Sequence, residues 1–117
     1  MPSVEGMYVV EFGDAALPGQ PTRNHGVVVL ETNRIYGGDS GYYFVGTFTI
    51  KDGTFDANAN IVKHNPAWRD AFGDTSTSFD IRIQGTVSSG TLQGTMTRLD
   101  MSSFRLPIKL TWKVALP

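Results

Sequence analysis

Apolar and polar residues alternate with a period of two along almost the whole chain. In the final stretch Phe104, Leu106, Ile108, Leu110, Trp112 and Val114 occupy one parity, and Arg105, Pro107, Lys109, Thr111 and Lys113 the other. Successive side chains on a strand point to opposite faces, so one face of such a segment is buried and the other wet. The same pattern predicts strands over 6–12, 25–32, 34–38, 42–50, 55–62, 79–87 and 92–97. Tyr8, Val10 and Phe12 share the apolar face of the first. Tyr42, Phe44, Phe48 and Ile50 share that of the fourth with Gly46, and Phe55, Ala57, Ala59 and Ile61 that of the fifth. Short strands recurring at such spacing are the signature of a small all-β barrel or sandwich.

The punctuation supports this division. Pro18, Gly19 and Pro21 mark a loop, and Gly37-Gly38-Asp39-Ser40-Gly41 a bend. Asp52-Gly53 suits a two-residue hairpin, because both turn positions must accept positive φ. Thr32-Asn33-Arg34 reads as another tight turn, with Asn33 the residue suited to the left-handed region. Only 65–73 breaks the alternation. Asn65 can cap and Pro66 can open one or two helical turns ended by Gly73, so one short helix is predicted near residues 66–72. Gly46, Gly85 and Gly94 all fall on the apolar face, where small interior residues make room for large ones across a barrel. The expectation is a single all-β domain over 1–117, an antiparallel up-and-down barrel of seven to eight strands.

Composition narrows the function. The 117 residues contain no cysteine, which excludes disulfides, thiol catalysis and Cys-ligated zinc. A net charge of −1 from 10 basic and 11 acidic residues argues against a nucleic-acid partner, which needs concentrated positive charge. No apolar run approaches the roughly 20 residues that cross a bilayer. The opening Met1-Pro2-Ser3-Val4-Glu5-Gly6 shows neither the basic nor the apolar region of a secretory signal. A cytoplasmic protein without a membrane partner is expected.

Candidate chemistry is sparse. His25 and His64 lack a second ligand at metal-binding spacing. Gly37-Gly38-Asp39 lacks the Lys and following helix of a phosphate loop, and no Gly-x-Ser-x-Gly elbow occurs. Asp70, Asp74 and Asp80 offer carboxylates for glycoside hydrolysis, but Asp70 and Asp74 better suit a helix end and its loop. The expectation is no catalysis, no metal and no cofactor. Aromatic residues are the more informative set. Phe44, Phe48, Phe79 and Trp112 fit inward positions, where they form either a packed core or the lining of a lumen for a small apolar ligand. Trp68 and Phe72 lie four apart on one face of the predicted helical turn. They either plug a barrel end or anchor a protein partner.

Several of these segments resemble one family. Gly6-Met7-Tyr8-Val9-Val10-Glu11-Phe12, Gly26 with the apolar strand after it, Ile35-Tyr36-Gly37-Gly38-Asp39, Tyr43, Gly46 and Ile61-Val62-Lys63-His64-Asn65 are similar, in order and spacing, to the GrlR family of small β-barrel negative regulators of type III secretion. The resemblance implies a closed barrel of lipocalin-like shape, often a homodimer, that binds and blocks a transcriptional activator in a bacterial cytoplasm without catalysis. The chain departs from the family at the hairpin Ile50-Lys51-Asp52-Gly53. The founding regulators carry an acidic Glu-Asp-Glu-Asp loop there, and here only Asp52 is negative. A regulatory barrel that binds a protein partner is therefore expected, with a carrier of a small apolar ligand as the alternative.

Overall fold

A computed structural model of the chain describes residues 4–13, 25–65, 78–100 and 105–117. Eight strands form one closed antiparallel barrel in chain order. They are β1 (Gly6–Phe12), β2 (His25–Glu31), β3 (Arg34–Gly38), β4 (Tyr42–Lys51), β5 (Thr54–Lys63), β6 (Ser78–Ser88), β7 (Thr91–Arg98) and β8 (Arg105–Val114). β1 closes the barrel against β8, with Val10 opposite Leu110 and Phe12 opposite Ile108. Closure removes the two exposed edges that an open sheet would offer for aggregation. The up-and-down barrel expected from the alternation is the observed architecture. The predicted helix at 66–72, with Trp68 and Phe72, lies outside the described residues, as does Phe104.

The inward parity of every strand feeds one core. Tyr8, Leu30, Phe55, Leu92 and Leu110 are at most 2% exposed. Eight strands enclose an interior about wide enough for side chains to fill, and rings from different strands meet inside it. Phe12 and Phe44 pack edge to face with centroids 6.4 Å apart and Tyr42 and Phe79 at 6.3 Å, while the Phe48 and Phe55 rings are tilted by 31° with centroids 5.7 Å apart. These spacings fall in the favourable range for aromatic pairs.

The hairpins follow their turn chemistry with one exception. Asp52 and Gly53 both take positive φ, as do Ser89 and Gly90, which matches the right-handed twist of the flanking strands. At the β2–β3 turn the left-handed residue is Thr32, φ 58°, and not Asn33. A β-branched residue is strained there. Its amide donates to the Glu5 carboxylate at 2.6 Å, and this bond ties the N-terminal segment across the hairpin. Glycine would keep that bond and relieve the strain. Thr32→Gly is expected to stabilise the protein by about 1 kcal/mol, read as a melting temperature raised by about 4 °C. A lowered midpoint would contradict the assigned strain.

Gly85 and Gly94 face one another across β6 and β7. A Cβ on Gly94 would lie 1.9 Å from the Gln84 carbonyl oxygen, and one on Gly85 would lie 2.1 Å from that of Gln93. Space across the lumen is therefore the lesser reason for these glycines. The neighbouring strand's own backbone occupies the place a side chain would need.

Candidate functional site: the two barrel ends and the outer wall

At the end of the barrel that carries the β2–β3, β4–β5 and β6–β7 hairpins, the segment before β1 packs Val4 against the core and is held by hydrogen bonds. Tyr8 donates its hydroxyl to the Val4 carbonyl, and Trp112 donates Nε1–H to the Glu5 carbonyl at 3.3 Å. Burial raises the Tyr8 phenol above its ordinary pKa, so it stays a neutral donor. Trp112 does not line the lumen as its parity predicts. It lies at the rim, 40% exposed, beside Gly6. It pairs with the inward Tyr8 and so keeps its parity, and its exposure comes from standing at the end of the barrel, next to a bulge. Tyr8 pairs with Trp112, but the adjacent Met7 pairs with Val114, so Lys113 is the extra residue on β8. Past the bulge the parity switches, and Val114 stands on the outer wall beside Met7, 52% exposed.

Phe44, Phe48 and Phe79 are buried inside, as expected. Phe44 and Phe79 both stand opposite Ile61, whereas Phe48 lies a turn of the ladder further along β4 opposite Ala57 and Trp112 lies at the rim, so the four residues expected to line one cavity are divided between levels of the barrel. Phe79 stands near the other end and has a partner that the sequence reading missed. Arg98 continues the inward parity of Leu92, Gly94 and Met96, and only 1% of it is exposed. Its guanidinium lies 4.3 Å over the Phe79 ring centroid and donates from Nε and Nη2 to the two Asp100 carboxylate oxygens, at 2.6 and 3.0 Å. A bidentate, stacked arginine suits this place because its stem and planar head can both be buried. The even parity of position 98 was the available signal.

The polar candidates have structural partners. Asp39 accepts from the amides of Gly41 and Tyr42, both at 2.8 Å, so the Gly-Gly-Asp segment is a side-chain-closed bend. His64 Nε2 lies 2.9 Å from the Asp39 carbonyl. Asp80 accepts from Asn60 Nδ2 at 3.0 Å on the outer wall, beside a depression of about 190 Å³ between Asn58, Asp80 and Leu99. Among the described residues no three acidic or histidine side chains group as a metal site. Asp70 and Asp74 lie outside those residues.

The outer wall is divided. Over β5 and β6 it carries Asp56, Asn58, Asp80, Arg82 and Gln84. Arg82 and Asp56 form an ion pair at 2.7 Å. The Arg82 guanidinium holds the Asp56 carboxyl below its ordinary range. A lowered folded-state pKa stabilises above the unfolded value and is lost as pH falls through the folded one. Both groups are wet, so Asp56→Asn is expected to shift a urea midpoint at neutral pH no more than an ordinary surface change. The difference from wild type should vanish in acid.

Over β1 to β4 the wall is apolar. The registers align Met7, Val29, Tyr36 and Val45 in one row and Val9, Val27, Gly38 and Tyr43 in the next. Val27 is 41% exposed, Tyr43 44% and Val45 54%. Each looks like a lone lapse from alternation in its own strand, and only the strand registers bring them together. No helix among the described residues is long and apolar enough to cross a membrane. No protein-family model and no curated protein matches the chain.

Proposed function

We propose that this barrel is a non-enzymatic binding protein whose apolar outer wall on β1 to β4 docks a protein partner. The two aligned apolar rows carry this reading, beside a polar wall on β5 and β6. Contiguous exposed apolar patches on a small protein mark interaction sites more often than chance, and Tyr and Met are enriched at interface centres. The lumen offers less to a carrier of apolar ligands, because its rings pack on one another. A cytoplasmic regulatory barrel that captures a bacterial protein, as the resemblance to GrlR-type regulators implies, fits a binding wall of this kind. Capture from the native cell, with the double variant Tyr43→Lys, Val45→Lys as comparison, tests it. Both positions are exposed, so the fold should persist by circular dichroism while the captured partner is lost. Retention of the partner by the folded variant would refute the proposal.

A further inference from the structure

The depression on the polar wall holds side chains with hydrogen-bonding capacity to spare, and we propose that it binds a neutral saccharide through one pyranose ring. Its volume is about 190 Å³, and it is lined by Asn58, Ala59, Asn60, Asp80, Ile81 and Leu99. Strand register builds it. Asn60 stands opposite Asp80 and Asn58 opposite Arg82, while the Ala59–Ile81 pair between them turns its side chains into the core. Two outward polar rows therefore flank a floor of backbone. Leu99 donates its amide to the Asp80 carbonyl at 2.9 Å. That bond sets the Leu99 side chain, 53% exposed, beside Asp80 as an apolar wall. The depression borders the apolar rows at Val45, opposite Asn60, but does not depend on their docking role.

The polar atoms are positioned as well as exposed. Asn60 shares its Nδ2 among Ser78 Oγ at 3.2 Å, the Phe79 carbonyl at 3.4 Å and Asp80 Oδ1 at 3.0 Å. These contacts fix the Asn60 side chain and one Asp80 oxygen. Asp80 Oδ2, Asn60 Oδ1 and both ends of the Asn58 carboxamide have no partner among the described residues. The depression thus offers acceptors at Asp80 and Asn60, and a donor with an acceptor at Asn58. A sugar hydroxyl both donates and accepts. Adjacent hydroxyls of a pyranose can donate to Asp80 and accept from Asn58, while the C–H face of the ring lies on Leu99. Charge favours a neutral ligand, because Asp80 opposes an anion and Arg82, two residues along the same face, opposes a cation. One carboxylate lines the depression, and glycoside hydrolysis takes a pair, so the role is binding. An open depression of this size buries little of a ligand, and the affinity is therefore low.

The test titrates the full chain, isotopically labelled, with methyl β-D-glucopyranoside, methyl β-D-galactopyranoside, methyl α-D-mannopyranoside and N-acetylglucosamine, and follows backbone amide NMR shifts. At least one of the four sugars should shift the amides of Asn58, Asn60, Asp80 and Leu99 saturably, with a dissociation constant on the order of millimolar. Asp80→Asn and Asn58→Ala should each weaken that binding at least about tenfold, and Leu99→Ser should weaken it as well. Gln93→Ala, on the polar wall but outside the depression, should leave it unchanged. All four positions are exposed, and circular dichroism checks each fold. Glycerol is the control polyol without a ring. Equal shifts from glycerol at equal concentration would show plain solvation of the wall and overturn the proposal. Shifts that saturate with none of the four sugars would overturn it, as would saturable binding that Asp80→Asn and Asn58→Ala leave intact. Ethanolamine shifting these amides where the sugars do not would make Asp80 a cation site and overturn the saccharide assignment.

Discussion

Gly94→Ala is expected to remove a large share of the stability of the fold. The added methyl would meet the Gln84 carbonyl oxygen at 1.9 Å and the Gly85 Cα at 2.6 Å. Both obstacles are backbone of the paired strand, so no rotamer change relieves them. Separating β6 from β7 would break ladder hydrogen bonds on both sides of the Gly85–Gly94 pair. The cost is expected to exceed about 4 kcal/mol, the range of exceptional single substitutions, in a domain whose total stability is on the order of 5–15 kcal/mol. Gly53→Ala is the informative comparison. Nothing lies within 4 Å of its Cβ position, and its φ is 76°, so that change costs only about 1 kcal/mol of left-handed strain. Urea titration followed by circular dichroism separates the two. Similar midpoints for both variants would mean that β6 and β7 do not approach as described.

These glycines show where a single chain stops being legible. Period-two alternation and dipeptides such as Asp52-Gly53 are local, and they located the strands and most hairpins. Gly46, Gly85 and Gly94 were placed on the correct face by parity alone. Their function as points of backbone approach depends on how strongly neighbouring strands coil around each other, which no local pattern contains. Trp112 has the inward parity assigned to it but stands at the rim, where the strand pairing breaks at the Lys113 bulge. Thr32 takes the positive φ in place of Asn33, although local preference favours Asn, and its amide donates to Glu5, which precedes the neighbouring strand β1 and is remote only in sequence. The outer apolar rows were invisible for a related reason. Val9, Val27, Tyr36 and Tyr43 lie on four different strands, and only cross-strand register makes them one surface. Arg98 is different: its parity was readable, but a charge at a strand end reads by default as solvated.

Asp100→Asn is expected to destabilise the fold more than Arg98→Met, although Asp100 is half exposed and Arg98 buried. The arginine side chain is 2% exposed and that of Asp100 51%. Removing the carboxylate's charge leaves a guanidinium over Phe79 without the bidentate anion that compensates its desolvation. Breaking a buried pair from one side costs about 3 kcal/mol or more. Methionine at 98 removes the charge itself and keeps an apolar stem of comparable length against the Phe79 ring, a change nearer about 1 kcal/mol. Once position 98 is apolar, the Asp100 carboxylate has no buried guanidinium left to compensate. The double variant should therefore be no less stable than Arg98→Met alone, a coupling of about 3 kcal/mol across the cycle. Denaturant titration of the three variants decides it. Strict additivity, or Arg98→Met as the worse single change, would show that the guanidinium is held chiefly by groups other than Asp100.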